Sequence, residues 1–153
     1  RERARQAAII AYTKKKFELI KPRPNVIKAL SSLSKKYALG IVTDAPRQKA
    51  WQRLVLAGLD GFFYPVVTYT DTKLEKPNKA PFERALKLLK LHSSEVLYVG
   101  DNPNKDILGA KKLGIATCLA KYHTEIAEEE DVADYSIEKF EDLRTVIEEI
   151  EGS

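Results

Sequence analysis

The sequence predicts an α/β fold, in which a parallel β-sheet is flanked by helices. Short apolar runs that suit strands alternate along the chain with stretches of helical periodicity. Most of these runs contain apolar residues only, which is typical of strands buried on both faces of a sheet. The length of 153 residues is that of one domain with a sizeable core.

The N-terminal part is predicted to be helical up to the first prolines. Over residues 4–20, apolar side chains recur near one stripe. The segment 21–24 contains two prolines and ends that helix, because proline cannot continue the hydrogen-bond ladder. Asn25 is the predicted N-cap of a second helix over 26–37.

The rest of the chain continues the alternation. Strands are predicted at 38–42, 66–68, 95–99, 115–119 and 135–137, the last of them at an edge of the sheet. Helices are predicted at 48–56, 80–89, 105–113 and 141–150. Gly58 and Gly114 are the expected C-terminal stops of two of these helices.

Composition and charge exclude several classes of protein. The formal net charge of +4 suits a phosphorylated substrate or a nucleic acid without deciding between them. The chain lacks the interleaved basic and aromatic residues of single-strand binders, so we expect no nucleic-acid partner. No apolar run approaches the roughly 18 residues of a membrane span. Cys118 is the single cysteine and cannot form an internal disulfide, which favours a reducing compartment such as the cytoplasm.

Polar side chains follow three of the predicted strands. In an open parallel sheet, ligands bind outside the carboxyl ends of the strands. This rule selects Thr43 and Asp44, the loop at 70–77, and the pair Gly100 and Asp101. We therefore expect a binding site at this edge of the sheet.

Two carboxylates follow the strand at 95–99. Asp101 lies at the strand tip, and Asp106 is expected near the start of the next helix. Carboxylate oxygens suit a hard cation such as Mg²⁺, so both residues are candidate metal ligands. The alternative is structural: Asp101 or Asn102 caps the turn, and Asp106 interacts favourably with the helix dipole.

Thr43, Asp44 and Lys76 are candidate phosphate-binding residues. A hydroxyl and backbone N–H groups at a helix start can hold an anion, although the same residues serve as an ordinary N-cap. Lys76 precedes Pro77, which keeps it out of helical geometry, and its ammonium group could neutralise a phosphoryl group. The alternative for Lys76 is a surface lysine among many.

Taken together, these segments resemble the haloacid dehalogenase-like hydrolase superfamily. Residues 38–45 resemble its second motif, residues 75–77 its third and residues 98–114 its fourth. The resemblance is greatest to an archaeal-type subfamily with a helical cap. It implies a Rossmann-like hydrolase core over 21–153, with the last helix of the cap over 1–20.

The resemblance implies a Mg²⁺-dependent phosphatase that acts on a small phosphorylated metabolite through an aspartyl-phosphate. Thr43 would bind the phosphoryl oxygens, with Asp44 beside it, and Lys76 would balance their charge. Asp101 would hold Mg²⁺, and Asp106 would orient Lys76 or support the metal. In this interpretation Thr43, Lys76 and Asp106 are the catalytic residues.

The family's first motif, a strand ending in Asp-x-Asp, has no counterpart in the sequence. That strand supplies the nucleophile, so the chain is expected to be inactive without it. We also expect the central strand of the sheet to be missing, between the strands at 38–42 and 95–99. Its absence would leave buried backbone groups unpaired, at about 1–3 kcal/mol each. The hypothesis is that residues preceding Arg1 exist, for example as a separate chain, and the absence of methionine agrees with it.

Two other functions remain open at this point. A dehalogenase on the same scaffold would attack carbon and need no metal ion. A catalytically inactive α/β binding module would need no nucleophile. The substrate and the oligomeric state are not predicted.

Overall fold

A computed structural model gives the structure of the protein and describes residues 7–11, 24–121 and 132–152. The described residues contain one six-stranded sheet, with the strand order β3-β2-β1-β4-β5-β6 and every pair parallel. The strands are β1 (Ala7–Ala11), β2 (Ala38–Val42), β3 (Val66–Val67), β4 (Val96–Gly100), β5 (Ala116–Ala120) and β6 (Tyr135–Ile137). The predicted α/β fold with a parallel sheet is confirmed.

Helices lie between successive strands from β1 to β5, and one more helix follows β6. They are α1 (Pro24–Ser34), α2 (Arg47–Ala57), α3 (Tyr69–Thr72), α4 (Lys79–Leu89), α5 (Leu108–Lys111) and α6 (Leu143–Gly152). A π-helical turn at Pro103–Ile107 leads into α5, and 3₁₀ turns lie at Ser93–Glu95 and Phe140–Asp142. None of the helices in the described part of the chain is long and apolar enough to cross a membrane.

The main correction concerns residues 7–11. They form β1, the central strand between β2 and β4, so the prediction of a helix there was wrong. Ile9 pairs with Gly40 on one side and with Tyr98 on the other. The central position of the sheet is therefore filled, and the expectation that it would be empty was wrong too. The remainder of the predicted cap helix, residues 1–6 and 12–20, lies outside the described residues.

The physical reason lies in the composition of this segment and in its two neighbours. The sequence Ala-Ala-Ile-Ile-Ala contains only small and β-branched apolar residues, which suit a strand with a partner on each side. Pairing with β2 and β4 also satisfies backbone groups of those strands that would otherwise be buried without partners. A helical stripe in the sequence carries no information on these long-range pairings.

Smaller differences occur at helix ends. Helix α1 begins at Pro24, so Asn25 lies inside it and is not its N-cap. Proline is favoured at the first position of a helix, where its missing N–H has no intrahelical partner. The predicted helix over 105–113 is a π-helical turn followed by the short α5. The C-terminal stop at Gly58 is confirmed, with φ of 72°. Helix α5 ends earlier than predicted, with Lys112 as its C-cap, and Gly114 follows it with φ of 74°.

Apolar side chains pack on both faces of the sheet. Along β4, Leu97 and Val99 belong to one buried cluster, and Val96 and Tyr98 belong to the other. This alternation is that of a strand covered on both sides. The first cluster includes side chains of α1 and α6, and the second includes Phe82 and Ala85 of α4. Cys118 is a fully buried residue of the first cluster.

The strand order places the site. From β1 the chain builds the sheet in one direction through β2 and β3, and the second half extends it in the other direction through β4, β5 and β6. The loops that follow β2 and β4 therefore diverge on either side of β1. Such a switch point is where open α/β sheets bind their ligands.

Candidate active site

A cavity of about 720 Å³ lies at the carboxyl ends of these strands. Its lining comes from four segments: the end of β2 with the residues after it, α3, the loop before Pro77, and the loop after β4. The lining residues are Thr43, Asp44, Ala45, Pro46, Tyr69, Lys73, Leu74, Glu75, Lys76, Asn102, Lys105 and Asp106. Four of the predicted site residues, Thr43, Asp44, Lys76 and Asp106, thus meet in one cavity.

Lys76 and Asp106 form a buried ion pair at this cavity. The Nζ atom of Lys76 lies 2.7 Å from Oδ1 of Asp106, and the two side chains are only 4% and 1% exposed. The same ammonium lies 3.5 Å from the carbonyl oxygen of Val42, the last residue of β2. Because a buried charge needs a partner, this pair fixes the ammonium at the edge of the sheet.

Both oxygens of Asp106 accept hydrogen bonds. Oδ1 accepts from Lys76 and from the hydroxyl of Tyr98 at 3.3 Å, and Oδ2 accepts from the backbone N–H of Asn102 at 3.1 Å. A carboxylate with three donors is held in one orientation.

Local backbone geometry explains how Asp106 reaches this place. A Cβ atom on Gly100 would lie 2.4 Å from Cβ of Asp106, so only glycine allows the side chain to pack against the strand end. Asn102 caps the π-helical turn, because its side chain accepts hydrogen bonds from the N–H groups of Asn104 and Lys105, each at 3.0 Å. The structural role considered for Asn102 is confirmed. Turns of this kind occur frequently at functional sites.

Asp44 joins three segments around the cavity. Its Oδ1 accepts a hydrogen bond from the backbone N–H of Lys76 at 3.0 Å, and its Oδ2 lies 3.4 Å from Nζ of Lys105. The carboxylate therefore organises neighbouring loops, and its negative charge does not itself attract an anion.

Thr43 presents a hydroxyl to the same cavity. Its Oγ1 accepts a hydrogen bond from the N–H of Ala45 at 3.2 Å, and the residue is 8% exposed. Since that bond uses an acceptor position, the hydroxyl hydrogen can be donated to an anion in the cavity.

Asp101 lies at the tip of β4 and is buried, but it does not line the cavity. Burial raises the pKa of Tyr98 well above 10, and the negative charges of Asp106, Asp44 and Asp101 add to this effect. The phenol of Tyr98 therefore remains protonated and able to donate.

The donor set fits a magnesium ion held mainly through water. The described residues contain no group of three or more His, Cys, Asp or Glu side chains placed to bind one metal ion. Mg²⁺ needs only one or two carboxylates, because it keeps several waters. Asp101 is buried at the tip of β4, and both oxygens of Asp106 face hydrogen-bond donors.

The sequence did not indicate every residue of the site. Tyr98 was one apolar member of a strand, and nothing in its neighbours showed that its hydroxyl would reach Asp106. Lys105 and Lys73 were two of many lysines. Helix α3 was not predicted, although Thr68 and Asp71 carry the capping box that defines its start.

Comparison with known proteins gives a consistent picture. Residues 2–120 match the family model described as haloacid dehalogenase-like hydrolase. A glyceraldehyde 3-phosphate phosphatase from Methanopyrus kandleri is 36% identical over 149 residues, which cover 94% of this chain and 64% of that protein. The pyrophosphatase PpaX from Bacillus mycoides is 35% identical over 138 residues, 88% of this chain and 64% of that protein.

A solved structure agrees with these relatives. The crystal structure of a phosphatase of this family from Thermococcus onnurineus matches with a TM-score of 0.75 and 30% identity, covering 82% of this chain and 57% of that one. The chain thus spans less than two thirds of the length of these relatives. The family match, the archaeal phosphatase relatives and the shared fold lead to one conclusion: the chain belongs to the haloacid dehalogenase-like hydrolases.

Proposed function

We propose that this chain forms the phosphate- and magnesium-binding part of a phosphatase that hydrolyses phosphoric monoesters through an aspartyl-phosphate. The observation that carries the proposal is the buried Lys76–Asp106 pair, held in the same cavity as Thr43. The names of the relatives, glyceraldehyde 3-phosphate phosphatase and pyrophosphatase, support phosphate chemistry.

Lys76 and Thr43 bind the phosphoryl group in this proposal. Phosphoryl transfer depends mainly on positioning and on neutralising the charge of the equatorial oxygens. The Lys76 ammonium has three hydrogens, and Asp106 and the distant Val42 carbonyl occupy two directions, which leaves one for a phosphoryl oxygen. The Thr43 hydroxyl supplies a second donor, and Asp106 acts through Lys76 as a positioning residue.

Asp101 is the proposed magnesium ligand. When bound, the metal ion would neutralise charge on the phosphoryl group as a Lewis acid. The Lys76–Asp106 pair keeps the lysine loop beside the turn that follows β4, and Asp101 lies at the tip of that strand.

The nucleophile is proposed to lie outside these 153 residues, on a preceding segment or on a separate chain, which would have to reach the cavity without the central sheet position that β1 fills. The sequence contains no Asp-x-Asp. Of the three carboxylates that line the cavity, those of Asp44 and Asp106 are hydrogen-bonded to neighbouring loops, and that of Glu75 belongs to an exposed loop residue. We therefore expect the chain to bind phosphate without turning over a phosphate ester.

The substrate is proposed to be a small phosphorylated metabolite. A cavity of about 720 Å³ with several charged side chains has room for such a molecule. The leaving group is not assigned, because the described residues that line the cavity recognise charge more than a particular carbon skeleton.

Isothermal titration with inorganic phosphate tests the proposal. Binding of phosphate is expected only in the presence of Mg²⁺. We expect the affinity to fall at least about tenfold in Lys76→Ala and in Thr43→Val, in line with the loss of a charge-assisted hydrogen bond. Lys79→Ala removes an exposed lysine three residues away and serves as the control. Asp101→Asn should lower the affinity for Mg²⁺.

Phosphate binding that is independent of both Mg²⁺ and Lys76 would overturn the proposal. Release of p-nitrophenol from its phosphate ester by the 153-residue chain would overturn the placement of the nucleophile alone.

A further inference from the structure

We propose that Tyr98 is a positioning residue of this site. Its hydroxyl donates to Oδ1 of Asp106 and holds that carboxylate where it fixes the Lys76 ammonium. The inference rests on the proposed function, and it extends the site to a residue of the core that touches neither cavity nor ligand.

The hydroxyl of Tyr98 has a single evident task. The residue lies in the middle of β4 and is 0% exposed. A phenol hydroxyl buried without a partner would be costly, and its partner in the structure is Oδ1 of Asp106 at 3.3 Å. A phenylalanine would fill the same apolar space, so packing alone does not call for tyrosine.

The ring of Tyr98 is held by the core and not by the loops of the site. Its centroid lies 5.0 Å from that of Phe82, with an angle of 58° between the planes. Phe82 is itself fully buried and packs against Gly109, where an added Cβ would lie 2.6 Å from the ring. The hydroxyl therefore occupies a place that the sheet and α4 determine together.

This rigid donor matters because of how Asp106 is bonded. Oδ2 is anchored by the N–H of Asn102, which belongs to the loop itself. On Oδ1 the other donor is Lys76, the flexible side chain that has to be positioned. Without Tyr98, the carboxylate could turn about its Oδ2 anchor and carry the ammonium with it. Tyr98 links the site to the core and restricts that rotation.

Nuclear magnetic resonance of the ¹⁵N-labelled chain tests the inference directly. A buried ammonium in a fixed ion pair should give a resolved, slowly exchanging ¹H–¹⁵N signal for Lys76, assigned by its loss in Lys76→Ala. We expect this signal to broaden or exchange much faster in Tyr98→Phe, which removes only the hydroxyl. Tyr64→Phe, at a residue that is 68% exposed, is the matched control and should leave the signal unchanged.

Binding of inorganic phosphate in the presence of Mg²⁺ is the second readout. We expect it to weaken about fivefold to tenfold in Tyr98→Phe, less than in Lys76→Ala, because the lost bond acts through Asp106. An unchanged Lys76 signal in Tyr98→Phe, even with a lower melting temperature, would show that Tyr98 is only a core residue and would overturn the inference.

The wild-type protein provides a test that does not depend on the variant folding. A nuclear Overhauser effect is expected between the Tyr98 hydroxyl hydrogen and the Lys76 ammonium. If both signals are observed and the effect is absent, the inference is wrong. A chain that binds no phosphate would refute the proposed function, whereas the Lys76 signal would still decide the role of Tyr98.

Discussion

Nζ of Lys76 and Oδ1 of Asp106 lie 2.7 Å apart, although 30 residues separate them in the sequence. One belongs to the loop before α4, and the other to the π-helical turn after β4. A single buried ion pair therefore connects the two loops that face each other across the proposed phosphate site.

Replacing one partner of this pair should destabilise the protein much more than replacing both partners together. Lys76→Met or Asp106→Leu alone leaves a buried charge without its partner, and we expect either to lower the free energy of unfolding by about 3–5 kcal/mol. The double variant should lose clearly less free energy of unfolding than the sum of the losses in the two single variants. Urea unfolding of the four proteins gives the coupling energy.

The exposed pair of Arg144 and Glu148 is the control for that cycle. Its atoms lie 3.2 Å apart, but the side chains are 76% and 65% exposed. Arg144→Ala should change stability by no more than about 0.5 kcal/mol. A coupling energy between Lys76 and Asp106 of no more than about 0.5 kcal/mol would contradict the description of the pair as buried and fixed.

Gly100→Ala should disturb the site at its base. The new Cβ would lie 2.4 Å from Cβ of Asp106, so either the strand end or the π-helical turn has to move. We expect a loss of about 1–3 kcal/mol in stability, typical of overpacking, together with weaker binding of inorganic phosphate. Gly61→Ala, with nothing within 4 Å of the new Cβ, should be close to neutral and is the matched control.

Asp71 should contribute stability that is lost in acid. Burial would raise the pKa of Asp71, but hydrogen bonds from Thr68 and the Arg47 guanidinium outweigh it and lower that pKa below the usual 3.8. Because the folded state holds the carboxylate more strongly, the contribution is complete above about pH 4 and disappears as the pH falls through the lower pKa of the folded state.

Denaturant unfolding of wild type and Asp71→Asn at several pH values measures this contribution. The stability difference between the two should be largest near neutral pH and shrink below pH 4. Asp60→Asn, at an exposed residue, is the control. A difference that does not change with pH would refute the assignment.

Tyr37 should contribute stability that is lost at alkaline pH. Burial, a hydrogen bond with Glu151 and the charges of Glu151 and Glu148 raise the pKa of Tyr37 to about 12. Since the folded state binds the phenol proton more tightly, the contribution is complete below pH 10 and lost as the pH rises towards 12. Tyr37→Phe should lose less stability over this interval than wild type, and absorbance at alkaline pH reports the phenol directly.

Much of the candidate site follows from the sequence, because polar residues at the carboxyl ends of parallel strands must gather at one edge. Thr43, Asp44, Lys76 and Asp106 do share a cavity. The hydrogen-bond partners of these side chains do not follow from the sequence. That Asp44 binds the backbone of Lys76, and that Tyr98 reaches Asp106, depend on distances set by the complete fold.

The fold shows the same division. The bounds of β2 and β6 could be predicted, because short apolar runs between turn signals are local features. Residues 7–11 could not, since their helical stripe is local whereas their pairing partners in β2 and β4 lie 31 and 89 positions away in the sequence. Long-range partners override local propensity where a sheet offers two open edges.

The bond between Asp44 and Lys76 has a consequence for variation. Oδ1 of Asp44 grips the main-chain N–H at position 76, a group that every amino acid except proline provides. Exposed neighbours such as Leu74 and Glu75 can therefore be substituted while the loop keeps its position. Substitutions in this stretch, in evolution or in a laboratory library, can therefore change which molecules enter the cavity while the buried residues below it stay the same.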